Sequence, residues 1–268
     1  MSKSIKLYGG DVILHMDEDA HCYSFEGRPD HPPGVTAILK VLDKPALVGW
    51  AANCPVEHIS NGYKTAMEGP DGVLDVSAFL SLCQEAKTAY RKISKEARDV
   101  GSLVHKFAEQ VLVDRRAAMP SDPQAAKGAA AFLSWFNAHK IEPFCVERIV
   151  FSKTWYYAGT CDFFGKIDDE ICVLDFKSSN PFKNKWHGPY IEMHLQLAAY
   201  AVAITEETGE RIDAGWIVRL DKQTGQCDPH RIELHQGWKN AWLRVRETYE
   251  AINKLEDQLN GIRQRTAA

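Results

Sequence analysis

The sequence predicts an α/β protein in which helices come first and a strand-rich segment follows. Three observations carry that expectation. From about Val76 to Ala118, and again from Gln124 to Lys140, apolar side chains recur at helical spacing. Residues 144–152, 157–167 and 170–177 are rich in Val, Ile, Phe and Tyr and read as three successive strands. A helix at about Tyr190–Thr208, strands near 212–220 and 229–234, and a charged terminal helix complete the order.

The elements follow from local chemistry. Residues 11–26 alternate apolar and polar, with Val12 and Leu14 before the acidic turn Asp17-Glu18-Asp19 and Tyr23 and Phe25 after it, which predicts a hairpin. Pro32-Pro33-Gly34 ends it, and Thr36 is placed to cap a helix carrying Ile38, Leu39 and Leu42, extended past Pro45 to Leu47 and Trp50. The first long helical run carries Phe79, Leu80, Tyr90, Ile93, Val104, Phe107 and Val111, and Met119-Pro120-Ser121-Asp122-Pro123 ends it. No internal repeat is present. The organisation expected is an accessory region of hairpin and helix over 1–75 and a core over 76–268, the two forming one compact domain.

Bulk properties narrow the function classes. Apolar residues make up 45% and charged residues 25% of the 268, ordinary globular usage that supports a core. A net charge of −4 argues against coating nucleic acid through global charge, yet leaves room for a local basic groove. Seven cysteines without a C-x-x-C pair give little support to a disulfide scaffold or zinc ribbon. The opening residues lack a secretory or organelle-presequence pattern, and no apolar run approaches the roughly 18 residues of a membrane span. The expectation is a cytoplasmic protein, of a bacterium or a phage-infected cell, with no membrane partner.

The chemistry concentrates in Ala158–Ser178. Asp168-Asp169-Glu170 interrupts two apolar stretches and is the natural turn. A two-residue loop of Asp168-Asp169 pairs Ile167 with Glu170 and sets Asp162 directly opposite Asp175. Asp175 and Lys177 then share one strand face, with Cys172, Leu174 and Phe176 on the other. Opposed carboxylates repel across a strand pair, whereas a divalent cation between them reverses the sign. Gly159 and Gly165 allow another backbone or a ligand to come close. Read from register alone, a metal site and a solvated polar sheet face are equally good accounts.

Gly159-Thr160-Cys161-Asp162 followed by Asp175-Phe176-Lys177-Ser178-Ser179 resembles the G-T-x-D … D-x-K-[ST] signature of PD-(D/E)XK nucleases, in particular the RecB-like exonuclease branch. Two further segments match in order: Gly101-Ser102-Leu103-Val104-His105 resembles the preceding G-x-x-x-H helix, and Gln196-Leu197-Ala198-Ala199-Tyr200 the following Q-x-x-x-Y helix. Pro33-Gly34-Val35-Thr36 is similar, less specifically, to the N-terminal region of phage-type and mitochondrial genome-maintenance exonucleases. The resemblance covers roughly 98–220. It implies a restriction-endonuclease-like core, a mixed sheet flanked by helices, with N-terminal helical elements. It also implies His105, Asp162, Asp175 and the backbone carbonyl of Phe176 as ligands of Mg²⁺ or Mn²⁺. Lys177 would orient or deprotonate the attacking water, or stabilise charge on the phosphorane, and a lowered Lys177 pKa would suit proton transfer. Glu109, one turn beyond His105, is an outer ligand or a solvated helix residue. Glu147 stands on the preceding strand, where some members carry an acidic residue.

Gln196 and Tyr200 lie four apart, on one helix face. Gln196 is expected to hydrogen-bond near the active-site strands and Tyr200 to contact substrate, against the plainer reading of ordinary packing. The segment Ser178–His187, with Lys183, Lys185 and Trp186, is a basic aromatic loop; Trp155-Tyr156-Tyr157 offers a second edge. Both are candidates for phosphate contact and base stacking, or simple solvated loops. Members with an iron–sulfur cluster use a cysteine grouping this chain lacks, so none is expected, and there is no P-loop. The resemblance thus implies a metal-dependent DNA exonuclease of recombination, repair, replication or phage DNA processing. Its substrate would be single-stranded DNA or end-containing duplex, with a single-strand annealing or binding protein as candidate partner. A flap or branch endonuclease of the same fold and a non-catalytic nucleic-acid-binding module are the alternatives.

Overall fold

The computed structural model describes residues 2–17, 20, 22–26, 31–68, 72, 74–179 and 188–267. The chain is a mixed α/β protein that divides into two compact units, Met1–Leu42 with Val104–Ala268, and Asp43–Leu103. The boundaries fall at 42/43 and 103/104, so the N-terminal hairpin belongs with the sheet, and position 75 lies within the second unit.

That second unit holds α2 (Pro45–Met67), α3 (Val76–Ala86) and the start of α4 (Ala89–Asp114). Pro45 begins α2, where its missing N–H costs nothing, and Asp75 caps α3 by accepting from the Ala78 N–H at 2.7 Å. Gly62 admits the Leu82 side chain so closely that a Cβ there would lie 2.5 Å from it. The expected continuous run of 76–118 is therefore two helices, broken at Lys87-Thr88.

In the first unit β1 (Ser2–Leu7), β2 (Val12–Asp17) and β3 (Cys22–Phe25) form an antiparallel sheet in that order. The hairpin of β2 and β3 agrees with the alternation in the sequence; β1, with only Ile5 and Leu7 as apolar side chains, was not foreseen. Leu7, Leu14, Tyr23 and Phe25 bury against Ile149, Phe151 and Ala158. The short helix α1 (Val35–Ile38) is capped by Gly34 and Thr36 lies inside it, because Gly34 is held in extended form by a parallel bridge to Ala158.

The main sheet has the order β4-β5-β6-β7-β8, from Ile141–Ser152, Tyr157–Ile167, Glu170–Ser179, Ala214–Asp221 and Cys227–Glu233. Only β6 and β7 run parallel, joined through α6 (Ile191–Thr208); the other neighbours are antiparallel. Ile167 pairs with Glu170, and Asp168 and Asp169 take φ of 50° and 68°, the left-handed pair a tight type I′-like turn needs. The predicted register is thus the observed one. Asp122 caps α5 (Pro123–Ala138), accepting from Gln124 and Ala125 N–H, and Gly209 at φ 73° ends α6.

Helices cover both faces of this sheet. Tyr200, Leu197 and Ile204 of α6 join Tyr157 of β5 and Trp242 of α7 (Gln236–Ala267) in one core. On the other face Phe132 and Trp135 of α5 meet Phe176 and Trp216 by edge-to-face and tilted ring contacts, and Phe107 of α4 packs edge-to-face on Phe132. Burial on both faces explains why β5 reads as an almost unbroken apolar run. Among the described residues no helix is long and apolar enough to cross a membrane.

Candidate metal centre and active site

Three strands and two helices bring the motif residues together. The β5–β6 ladder ends at Phe163↔Leu174, so Asp162 and Asp175 stand at the next position, where the strands separate. Asp162 Oδ2 takes the place of the missing ladder bond, accepting from the Phe176 N–H at 2.7 Å. From α4, His105 Nδ1 lies 3.5 Å from the same oxygen, and its ring meets Phe176 edge-on.

Asp175 is almost fully buried, hydrogen-bonded at one oxygen and ion-paired at the other. Oδ1 accepts from Gln196 Nε2 at 2.8 Å, and Oδ2 lies 2.5 Å from Lys177 Nζ. Lys177 Nζ also donates to Gln196 Oε1 at 3.1 Å, while Gln196 Nε2 donates to the Tyr200 hydroxyl at 2.8 Å. Gln196 therefore binds both β6 side chains from α6, as its helix position suggested. Tyr200 is buried beneath it and supports Gln196; the substrate contact expected of Tyr200 does not fit a ring with 2% exposure.

β4 contributes a residue that the sequence left in the background. An extra residue at Phe144 shifts the β4–β5 register, which runs Pro143↔Gly165 and then Cys145↔Phe164. Without that bulge Val146 would face Asp162; with it, Glu147 does, between the pairs Val146↔Phe163 and Arg148↔Cys161. Glu147 also leaves strand geometry, at φ 50°. One donor atom each from His105, Glu147 and Asp162 lie within 4.8 Å of one another. The bulge was the missing signal, and it is written nowhere in the residue alternation.

The electrostatics are those of crowded carboxylates. Burial and then repulsion from Asp162, Glu109 and Asp175 push the Glu147 carboxyl up to about 8. Burial, aided by Asp175 and opposed by His105, Lys177 and the Phe176 N–H, raises Asp162 to about 6. For Lys177, burial disfavours the ammonium, but Asp175, Asp162 and Glu192 outweigh it and raise the pKa. The lowered Lys177 pKa expected earlier is thus reversed by its own carboxylate neighbours. Glu109 is half-buried on α4 and close enough to act on Glu147.

The remaining expectations separate. Phe176 lies between Asp175 and Lys177 with its ring in the α5 core. Ser178 is half-buried in β6, paired with Leu220. Tyr157 cannot stack on DNA: its side chain is fully buried, its hydroxyl donates to the Ala199 carbonyl at 2.8 Å, and its ring packs on Trp242. Lys183, Lys185 and Trp186 lie outside the described residues. All seven cysteines are free, and burial holds the Cys161 thiol well above its ordinary range, which suits packing and not nucleophilic attack.

An imidazole nitrogen and two carboxylate oxygens, supported by further acids, form a donor set that fits a divalent cation. No family model matches the chain, and no curated protein matches it. Among solved structures, the crystal structure of SSO0001 aligns over 57% of this chain and 74% of that chain at 16% identity, with a TM-score of 0.30, too low to support an argument.

Proposed function

We propose that the protein is a divalent-metal-dependent deoxyribonuclease, an exonuclease of the PD-(D/E)XK type, and that its five-stranded sheet with flanking helices is a restriction-endonuclease-like core. The carrying observation is convergence. His105, Asp162, Asp175, Lys177 and Gln196, drawn from α4, β5, β6 and α6, meet through contacts of 2.5–3.5 Å. Nothing in strand or helix propensity requires that, and each buried carboxylate is costly without a cation.

His105, Asp162, Asp175 and the Phe176 carbonyl would hold Mg²⁺ or Mn²⁺, which when bound would supply a water of lowered pKa and neutralise charge on the phosphate. Lys177, kept as an ammonium by Asp175, donates to a non-bridging phosphate oxygen or to the water and steadies the charge that builds during in-line displacement. Gln196 fixes both groups, and Tyr200 fixes Gln196. DNA is the partner this site would take, and the preference for ends rests on the family resemblance alone.

The test is incubation with linear and covalently closed circular DNA in Mg²⁺ and in EDTA. Nucleotide release from linear DNA only, abolished by EDTA, is expected. Cleavage of closed circles would replace the exonuclease by an endonuclease, and DNA binding without cleavage in Mg²⁺ would leave a binding module.

A further inference from the structure

We infer that the N-terminal sheet forms one wall of the DNA cleft and that Lys3, at its end, binds a phosphate of the strand beside the one being hydrolysed. This rests on the nuclease reading above and adds a substrate contact that the sequence motif does not contain.

The placement follows from register. Ala158, Thr160 and Asp162 alternate along β5 and share one face, and Phe151 and Ile149 of β4 stand opposite Ala158 and Thr160 on that face. The N-terminal sheet packs there and advances along β5 row by row. Phe25 meets Phe151 edge-on and Tyr156 at a tilt. One row further, the Tyr23 hydroxyl lies 3.0 Å from Thr160 Oγ1, and Thr160 donates to Met16 Sδ at 3.4 Å. Among the described residues the packed face ends with that row, two residues short of Asp162. From the β6 side the same face is covered by His105 of α4 and by Phe132 and Trp135 of α5, all three rings on Phe176. The centre thus opens between the His105 turn of α4 and the N-terminal sheet, with 32% of the His105 side chain and 13% of the Asp162 side chain exposed.

Lys3 belongs to the terminal row. It pairs with Met16, and Met16 pairs with Tyr23, so the three side chains share a face. Met16 and Tyr23 are buried, whereas Lys3 is exposed. Lys3 is one strand spacing from a side chain that touches Thr160, and Thr160 is about 7 Å along β5 from Asp162. A flexible four-carbon stem spans the remainder, which brings the ammonium within reach of a phosphate adjoining one held at the centre.

The charge has a use there. Glu109, Glu147 and Asp162 are anionic neighbours that repel an incoming backbone, and Lys177 is engaged with Asp175 and Gln196. Behind Lys3 on the same face of β1, Ile5 and Leu7 are apolar and pack into the N-terminal core. The cation therefore replaces an apolar side chain at the point where the core gives way to the carboxylates. The plainer account is that β1 is an edge strand, on which an inward lysine blocks pairing with another chain. That role predicts aggregation, and no change in DNA affinity, once the charge is removed.

The experiment is steady-state hydrolysis of linear DNA in Mg²⁺ by full-length wild type, Lys3→Gln, Lys3→Arg and Lys3→Glu, from about 50 to 200 mM NaCl, with Tm and light scattering recorded. We expect KM to rise about 3–10-fold in Lys3→Gln, further in Lys3→Glu, and less than about twofold in Lys3→Arg, with kcat within about twofold and Tm unchanged. The slope of log kcat/KM against log[NaCl] should shrink by about 0.7–0.9 in Lys3→Gln, the signature of one phosphate contact fewer. Lys3→Gln keeps the length of the side chain, so a lost contact is not lost packing. Wild-type KM and salt slope in Lys3→Gln, with or without aggregation, or an equal loss in Lys3→Arg, overturns the inference and leaves the nuclease reading in place. No Mg²⁺-dependent hydrolysis by wild type overturns both.

Discussion

Gly159→Ala connects the close approach at the head of the motif to the chemistry at its end. A Cβ at Gly159 would stand 2.8 Å from Tyr200 Cε1 and 3.0 Å from Val35 Cγ2. The Tyr200 ring must then retreat by about 0.6 Å to reach ordinary contact, an overpacking that costs about 1–3 kcal/mol. For a protein of this size that is a fall in Tm of about 2–10 °C. The larger effect is on catalysis. Tyr200 accepts from Gln196, and Gln196 holds Asp175 and Lys177, so the ring's displacement is passed to the ammonium. Because a misplacement of about 1 Å costs about 100-fold, kcat should fall about tenfold or more while Mn²⁺ affinity changes little. The assay is steady-state hydrolysis of linear duplex beside a thermal melt and a Mn²⁺ titration. A wild-type kcat in Gly159→Ala would refute the chain of support from β5 through α6 to Lys177.

Other perturbations test separate links. Tyr157→Phe deletes a buried hydroxyl bonded to the Ala199 carbonyl and should cost about 1 kcal/mol in denaturant unfolding with no change in KM for DNA; a raised KM would restore Tyr157 as a DNA contact. Gly165→Ala places a Cβ 2.3 Å from the Glu142 carbonyl oxygen and 2.9 Å from the Phe144 nitrogen. Backbone cannot yield as a side chain does, so the loss should reach the upper end of the overpacking range, about 3 kcal/mol or more by chemical denaturation. Glu147, raised to about 8, and Asp162, raised to about 6, bind protons more tightly when folded. Their carboxyls therefore oppose folding increasingly as pH climbs from the unfolded values near 4 through the folded ones. Without metal, melts should drop between pH 5.5 and 8.5; MgCl₂ or Glu147→Gln should flatten that drop, and an unchanged slope in both would contradict the placement of these charges. Asp168 runs the other way, since its bonds to His139 and the Lys140 N–H lower its pKa. Its small, mostly solvent-screened contribution is present at neutral pH and is lost as pH falls through the lowered value, so Asp168→Asn should lessen acid sensitivity slightly in a melt below pH 4.

Much of the centre was legible because its parts are local. The Asp168-Asp169 turn sets the β5–β6 register, and that register alone places Asp162 against Asp175 and Asp175 beside Lys177 on one face. The four-residue spacing of Gln196 and Tyr200 likewise fixed their common helix face. What failed depended on layers meeting at a distance. Tyr157 and Tyr200 carry polar tips, and only the packing of α6 and α7 onto the sheet reveals that both tips are satisfied inside the core. Glu147 was overshadowed because a single extra residue at Phe144 decides whether Val146 or Glu147 faces Asp162, and no side-chain pattern announces a bulge. The N-terminal hairpin was expected as an accessory element, yet the Tyr23 hydroxyl and Thr160 Oγ1 lie 3.0 Å apart, tying β3 to the motif strand itself.

The most direct measurement is single-turnover hydrolysis of end-labelled linear duplex by wild type and Lys177→Ala, each in Mg²⁺ and in EDTA, with Mn²⁺ binding and Tm recorded for both. The account predicts rapid Mg²⁺-dependent release by wild type, none in EDTA, and a loss of about 100-fold or more in a Lys177→Ala protein that still folds and still binds Mn²⁺. Equal rates for the two proteins, or hydrolysis undiminished by EDTA, would contradict it.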